Sequence, residues 1–145
     1  MNDWLEYHEK PVKLHSGATS HWLIDGQALF DDPNVRRAVL DVWANAMWAC
    51  FPDIRTFHIF GIPRGGTPWA EALAHRVAGF VYLEYAAAQE EGQVFLVDDV
   101  VTTGASFDEY PLGPRLVVVR RTSKCPTVQV TARWMDVHLP IELPA

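Results

Sequence analysis

The sequence predicts an α/β fold, a mostly parallel sheet flanked by helices, and three observations carry that prediction. β-prone apolar runs alternate with helical stretches along most of the chain. The run Val94-Phe95-Leu96-Val97 is apolar at every position, as a strand buried on both faces requires. Two glycine-containing loops, Pro63-Arg64-Gly65-Gly66 and Thr102-Thr103-Gly104, each follow a β-prone run and precede a helical one, which places them where open α/β sheets bind ligands.

The elements follow in order. Asp31-Asp32-Pro33 opens the clearest helix, with Asp32 as cap and Pro33 at the first helical position, and the helix ends before Pro52. Its apolar stripe is Val35, Val39, Val42, Trp43, Ala46, Met47 and Cys50. Thr56 to Ile62 reads as a short strand that runs into the Pro63–Gly66 loop. Thr67 then caps a helix with Pro68 at its first position, and the Ala-rich stretch Trp69 to Val77 carries it to Gly79. Phe80 to Tyr85 and Gln93 to Val97 read as strands separated by a polar turn, Gln89-Glu90-Glu91-Gly92. After the acidic pair Asp98-Asp99 comes a short helix, Ala105 to Tyr110, stopped by Pro111, and then a strand from Leu116 to Val119. The C-terminal stretch has alternating β character that suits either another strand or a cover over the site.

A chain of 145 residues is the size of one domain, and residues 1–145 read as a single unit. Hydrophobic residues make up 49% and charged residues 21%, which argues for a folded core and against disorder. No stretch approaches the roughly 20 apolar residues of a bilayer span, so a cytoplasmic protein without membrane contact is expected. The net charge of −6 opposes nucleic-acid binding, and any phosphate ligand must be held locally. Cys50 and Cys125 lie far apart without a metal-ligand spacing, and the six histidines are scattered.

Chemistry concentrates in Val94 to Ser106. A buried strand delivers Asp98 and Asp99 at its carboxyl end, and a hydroxyl-rich turn with a glycine precedes a helix. Backbone amides of residues 103–106 can converge on a phosphate there, and Gly104 removes a Cβ that would block close approach. Thr102, Thr103 and Ser106 add hydroxyl donors, and Ala105 keeps the turn small. The ionised carboxylates only accept hydrogen bonds, so they suit ribose hydroxyls or hydrated Mg²⁺ and not the phosphate itself.

This segment resembles the phosphoribosyl-diphosphate (PRPP) motif of type I phosphoribosyltransferases. Residues 57–74 resemble that family's diphosphate loop. There Gly65 and Gly66 let backbone amides face the diphosphate, Arg64 offers a planar donor fork, and the resemblance implies a non-prolyl cis peptide bond. Residues 14–26 resemble the amino-terminal segment of orotate phosphoribosyltransferases: Ser16, Gly17, Ser20 and Asp25 match, Trp22 takes the aromatic place, and His15 stands where that family usually has lysine.

These resemblances imply a Rossmann-like type I phosphoribosyltransferase fold with a reduced hood. They imply transfer of ribose 5-phosphate from PRPP to a nucleobase, orotate-type, with diphosphate leaving. Asp98, Asp99 and Arg64 would be catalytic, and Mg²⁺ would be held at Asp98 and Asp99 through water or ribose hydroxyls. Thr102 to Ser106, Gly65, Gly66, His15, Ser16 and Trp22 would bind substrate. A homodimer is a further implication. The chain departs from the family where active orotate enzymes carry a basic mobile loop, because Gly79 to Gln93 has no Lys, Arg or His and has Glu84, Glu90 and Glu91 instead. That departure motivates an alternative, a PRPP or nucleotide sensor without catalysis.

Overall fold

The computed structural model describes residues 3–14, 16–122 and 128–143. A five-stranded, wholly parallel sheet in the order β4-β3-β5-β6-β7 forms its centre. Its strands are β3 (His58–Gly61), β4 (Phe80–Tyr82), β5 (Val94–Val101), β6 (Arg115–Thr122) and β7 (Ala132–His138). The central strand alternates its payload between two layers. Phe95 and Val97 face one core cluster, while Val94 and Leu96 face the other.

The first layer holds α2 (Pro33–Cys50) and α3 (Gly66–Val77), whose Trp43 and Trp69 meet edge to face at 5.6 Å. The Trp43 Nε1–H donates to the Val117 carbonyl at 3.0 Å, which locks α2 onto β6. Val39, Ala44 and Met47 complete the buried face of α2, whereas Val42 and Cys50 of the expected stripe are exposed. Cys125 falls outside the described residues. The second layer holds α4 (Tyr85–Glu91) and α5 (Ala105–Glu109), packed through Ala88 and Phe107. No helix among the described residues is long and apolar enough to cross a membrane.

Asp32 accepts from the amides of Asn34 and Val35 at 2.9 and 3.3 Å, with Pro33 beginning α2. Its replacement by Ala should cost about 1 kcal/mol, read as a lower urea midpoint at unchanged slope. An unaltered midpoint would show that the cap contributes nothing.

Four local expectations change. The helix α3 starts at Gly66 with Gly65 as its cap residue, so Thr67 and Pro68 fall inside the first turn, where proline's missing N–H costs nothing. The strand expected over Phe80 to Tyr85 ends at Tyr82, and α4 occupies Tyr85–Glu91 where a polar turn was expected; three consecutive alanines favour helix there. The strand β5 continues past the acidic pair to Val101. The amino-terminal residues form β1 (Leu5–Lys13), which pairs antiparallel with β2 (Thr19–Ile24) and leads into α1 (Gly26–Asp31). The C-terminal stretch adds β7 beside β6 and then returns to the hairpin, Glu142 pairing with Thr19.

Candidate active site

The cavity lies between the hairpin and the carboxyl ends of β3 and β5, encloses about 280 Å³, and is lined by all of Val100 to Ser106. Arg64, Gly65, Asp98, Asp99 and Ser16 share it, as do Lys13 and Arg121. The turn after β5 is therefore open to a ligand-sized space.

Residues 103 and 104 leave β5 without a backbone acceptor for their N–H groups among the described residues, and the first amides of α5 have none available within their own helix. Gly104 has φ of 86°, a left-handed conformation that glycine takes without strain. The turn thus offers a set of donors and no competing acceptors.

Asp98 is 5% exposed and accepts from the Asp99 N–H at 2.8 Å. Burial first, and then the neighbouring Asp99 carboxylate, push its pKa up to about 9, against weaker opposing hydrogen bonds from the Asp99 N–H and from Ser106. A buried acid that resists ionisation can donate its proton in a hydrogen bond to a ligand oxygen, and positive charge brought beside it favours its ionised form. The Asp99 carboxylate lies in a slot between two glycines: a Cβ on either Gly26 or Gly65 would overlap it.

On the other side, the peptide bond Pro63–Arg64 is cis, as the resemblance implied. Arg64 is exposed, and its side chain has neither an ion pair nor a hydrogen bond among the described residues. Gly66 departs from expectation. Its N–H donates to the Ile62 carbonyl at 2.9 Å and it packs against the Val97 carbonyl, so it shapes the loop without offering an amide to a ligand.

Trp22 also departs. It lies outside the cavity lining, its ring 5.0 Å from that of Tyr7, and the neighbouring Leu23 and Ile24 line the site in its place. His15 falls outside the described residues. Ser16 does line the cavity, and Asp25 is occupied as the cap of α1, accepting from Gln27 and Ala28.

Two adjacent arginines, Arg120 and Arg121, lie near the end of β6. Arg120 forms a two-pronged ion pair with Asp136, at 2.9 Å on each prong. Arg121 is 2% exposed and has no carboxylate partner among the described residues. Its guanidinium donates to the Trp22 carbonyl, the Ser20 hydroxyl and the Leu139 carbonyl, leaving Nε without a partner. Desolvation lowers its pKa. Strand alternation was the available signal, since one of two adjacent arginines must face inward.

No group of three or more His, Cys, Asp or Glu side chains that could hold a metal occurs among the described residues. The donor set still fits Mg²⁺ in one way: two hard carboxylates facing a cavity, with the remaining oxygens supplied by water and a phosphorylated ligand.

A parallel sheet, an antiparallel hairpin over its carboxyl edge and two loops meeting in one cavity define a phosphoribosyltransferase-type α/β fold. The sequence matches no family model and no curated protein. Among solved structures, the chain is similar to an orotate phosphoribosyltransferase from Aeropyrum pernix at TM-score 0.65 and 22% identity, over 93% of this chain and 89% of that one. It is also similar to UMP synthase from Leishmania donovani at TM-score 0.59 and 23% identity, covering 83% of this chain and 29% of that larger one. An orotate phosphoribosyltransferase from Francisella tularensis aligns at TM-score 0.50 and 18% identity, over 94% of this chain and 80% of that one. These likenesses establish a shared fold.

Proposed function

We propose that residues 1–145 form one phosphoribosyltransferase domain that moves ribose 5-phosphate from PRPP to a nucleobase of the orotate type. The observation that carries this reading is the meeting of the Asp98-Asp99 strand end, the donor turn 102–106 and the Arg64-Gly65 loop in one cavity. The ribose C1–oxygen bond to diphosphate breaks, a bond from C1 to a base nitrogen forms, diphosphate departs with the electron pair, and the proton displaced from that nitrogen passes to diphosphate or to solvent.

In this reading Thr102 to Ser106 grip the 5-phosphate with amides and hydroxyls. Arg64 and the Gly65 backbone neutralise the leaving diphosphate. Asp98 and Asp99 orient the ribose hydroxyls and stabilise positive charge developing at C1. Mg²⁺, when bound, supplies further neutralisation of the diphosphate, and Asp98 and Asp99 would hold it through water or ribose hydroxyls. Ser16 frames the base; the same role for His15 and Trp22 rests on the sequence resemblance alone.

Arg121 supports an acidic base. A buried guanidinium with an unpartnered Nε and no carboxylate beside it favours a ligand carrying its own anion or carbonyl oxygens. Orotate, uracil, hypoxanthine, guanine and adenine should be screened for diphosphate release, with orotate expected to react fastest. Arg121→Met should lower kcat/KM for orotate by about 2 kcal/mol or more, and cost less with uracil. Equal losses on both bases would count against this assignment.

The second reading is a PRPP or nucleotide sensor. It is favoured by α4, which fills the span of the expected mobile loop with a short helix that follows Glu84 and carries Glu90 and Glu91. Ligand-dependent thermal stabilisation without turnover of any base would support it. Either way the proposed setting is the cytoplasm, without nucleic-acid or membrane partners. A homodimer would use exposed apolar groups such as Trp48, which is 46% exposed.

A further inference from the structure

Three cations line the cavity: Lys13, Arg64 and Arg121. Arg121 is committed to the Trp22 carbonyl, the Ser20 hydroxyl and the Leu139 carbonyl. Arg64 and Lys13 are exposed, and neither side chain has an ion pair or hydrogen bond among the described residues. Two uncommitted cations therefore face a space that also holds two carboxylates.

We propose that Lys13 is a second diphosphate-binding residue, which closes on that group from the hairpin while Arg64 holds it from the sheet. The assignment rests on the phosphoribosyltransferase reading above. Two needs separate the ends of the ligand. The 5-phosphate finds amides and hydroxyls at residues 102–106, whereas the diphosphate carries more charge and meets only the shorter Arg64-Gly65 loop. Its neutralisation falls to cations, and the segment after β4 supplies none between Gly79 and Gln93. That segment is also anchored away from any closing motion: Ala88 of α4 is buried, and the Tyr85 hydroxyl donates to the Leu112 carbonyl and accepts from the Leu112 N–H.

The position of Lys13 is well fixed. It ends β1 opposite Thr19, and the next turn is closed by Leu14 N–H to the Ala18 carbonyl at 2.7 Å and Gly17 N–H to the Leu14 carbonyl at 2.9 Å. Thr19 is tied in turn to Glu142 by two backbone bonds of 2.8 Å. A rigid hairpin end carrying a long, mobile ammonium stem suits a charged leaving group of variable geometry.

The test titrates the full chain and its variants with inorganic diphosphate and, separately, with ribose 5-phosphate. Lys13→Ala should weaken diphosphate roughly ten-fold and ribose 5-phosphate less than about two-fold, with Lys13→Arg restoring most of the loss. Lys10→Ala, on the same strand but outside the cavity, should bind as the wild type does. Wild-type diphosphate affinity in Lys13→Ala, alongside a loss in Arg64→Ala, would overturn the proposal and leave the functional reading standing. Equal losses for both probes would also overturn it, placing Lys13 elsewhere on the ligand. A wild-type chain that binds neither probe would overturn the functional reading itself.

Discussion

Replacing Asp98 by Asn should raise the melting temperature of the ligand-free protein, and adding Asp99→Asn should abolish transfer. Asp98 is buried beside a second carboxylate, and both facts disfavour its charged form. The folded-state pKa therefore lies above the unfolded one. Stability from this group is complete below the ordinary carboxylate pKa and is lost as pH rises toward about 9. Asparagine keeps the shape and never ionises. Its advantage should be small near pH 4 and grow through pH 7 to 9, reaching about 1 to 2 kcal/mol, or roughly 3 to 8 °C.

The same change removes an acceptor that the proposed reaction needs. Stabilisation of charge at C1 by preorganised carboxylates is a transition-state effect, so the double variant should lose about a thousand-fold or more in kcat. Melting curves at pH 5, 7 and 9 and a diphosphate-release assay check the two halves. Parallel pH slopes for wild type and Asp98→Asn would reject the burial argument. Wild-type turnover by the double variant would reject the catalytic roles. A stabilised yet inactive protein is the pattern expected where function keeps a costly buried acid in place.

How far the sequence exposed these features depended on whether a local signal had a single reading. Val94 to Val97 could be assigned because four apolar residues ending in two aspartates fit a central strand and little else. The helix α2 could be bounded because Asp32-Pro33 and Pro52 mark its ends, and the structure places both as expected. Tyr85 to Glu91 misled because its aromatic start continued a β-prone run, while its three alanines carried the opposing propensity. Tertiary packing of Ala88 under the sheet settles that competition, and no local pattern contains it.

The site shows the same division. Asp98, Asp99 and the turn 102–106 were legible because strand, carboxylates, glycine and helix stand consecutively. Arg121 and Lys13 come from distant elements, and their entry into the cavity depends on strand register and on how the hairpin folds over. The placement of Trp22 turns on the same point. Leu23 and Ile24 both line the cavity, while the Trp22 ring lies against Tyr7.

The two glycines of the Pro63–Gly66 loop should separate cleanly under substitution by alanine, although they are neighbours. A Cβ at Gly65 would overlap the carboxylate of Asp99, the free end of a side chain that can rotate aside. Gly65→Ala should therefore keep most of its stability and lose PRPP affinity roughly ten-fold or more, because the acid is expelled from its slot. A Cβ at Gly66 would strike the Val97 carbonyl oxygen, which already accepts from the Ile62 N–H at 2.8 Å in the middle of the sheet. Neither backbone can yield without parting β3 from β5. Gly66→Ala should thus cost about 3 kcal/mol or more, lowering the melting temperature by roughly 8 °C or more, whatever ligand is present. Calorimetric melting and PRPP titration of the two variants side by side decide the matter. If Gly65→Ala melts as early as Gly66→Ala, or binds PRPP as tightly as wild type, then Asp99 is not held between Gly26 and Gly65 for the ligand's sake.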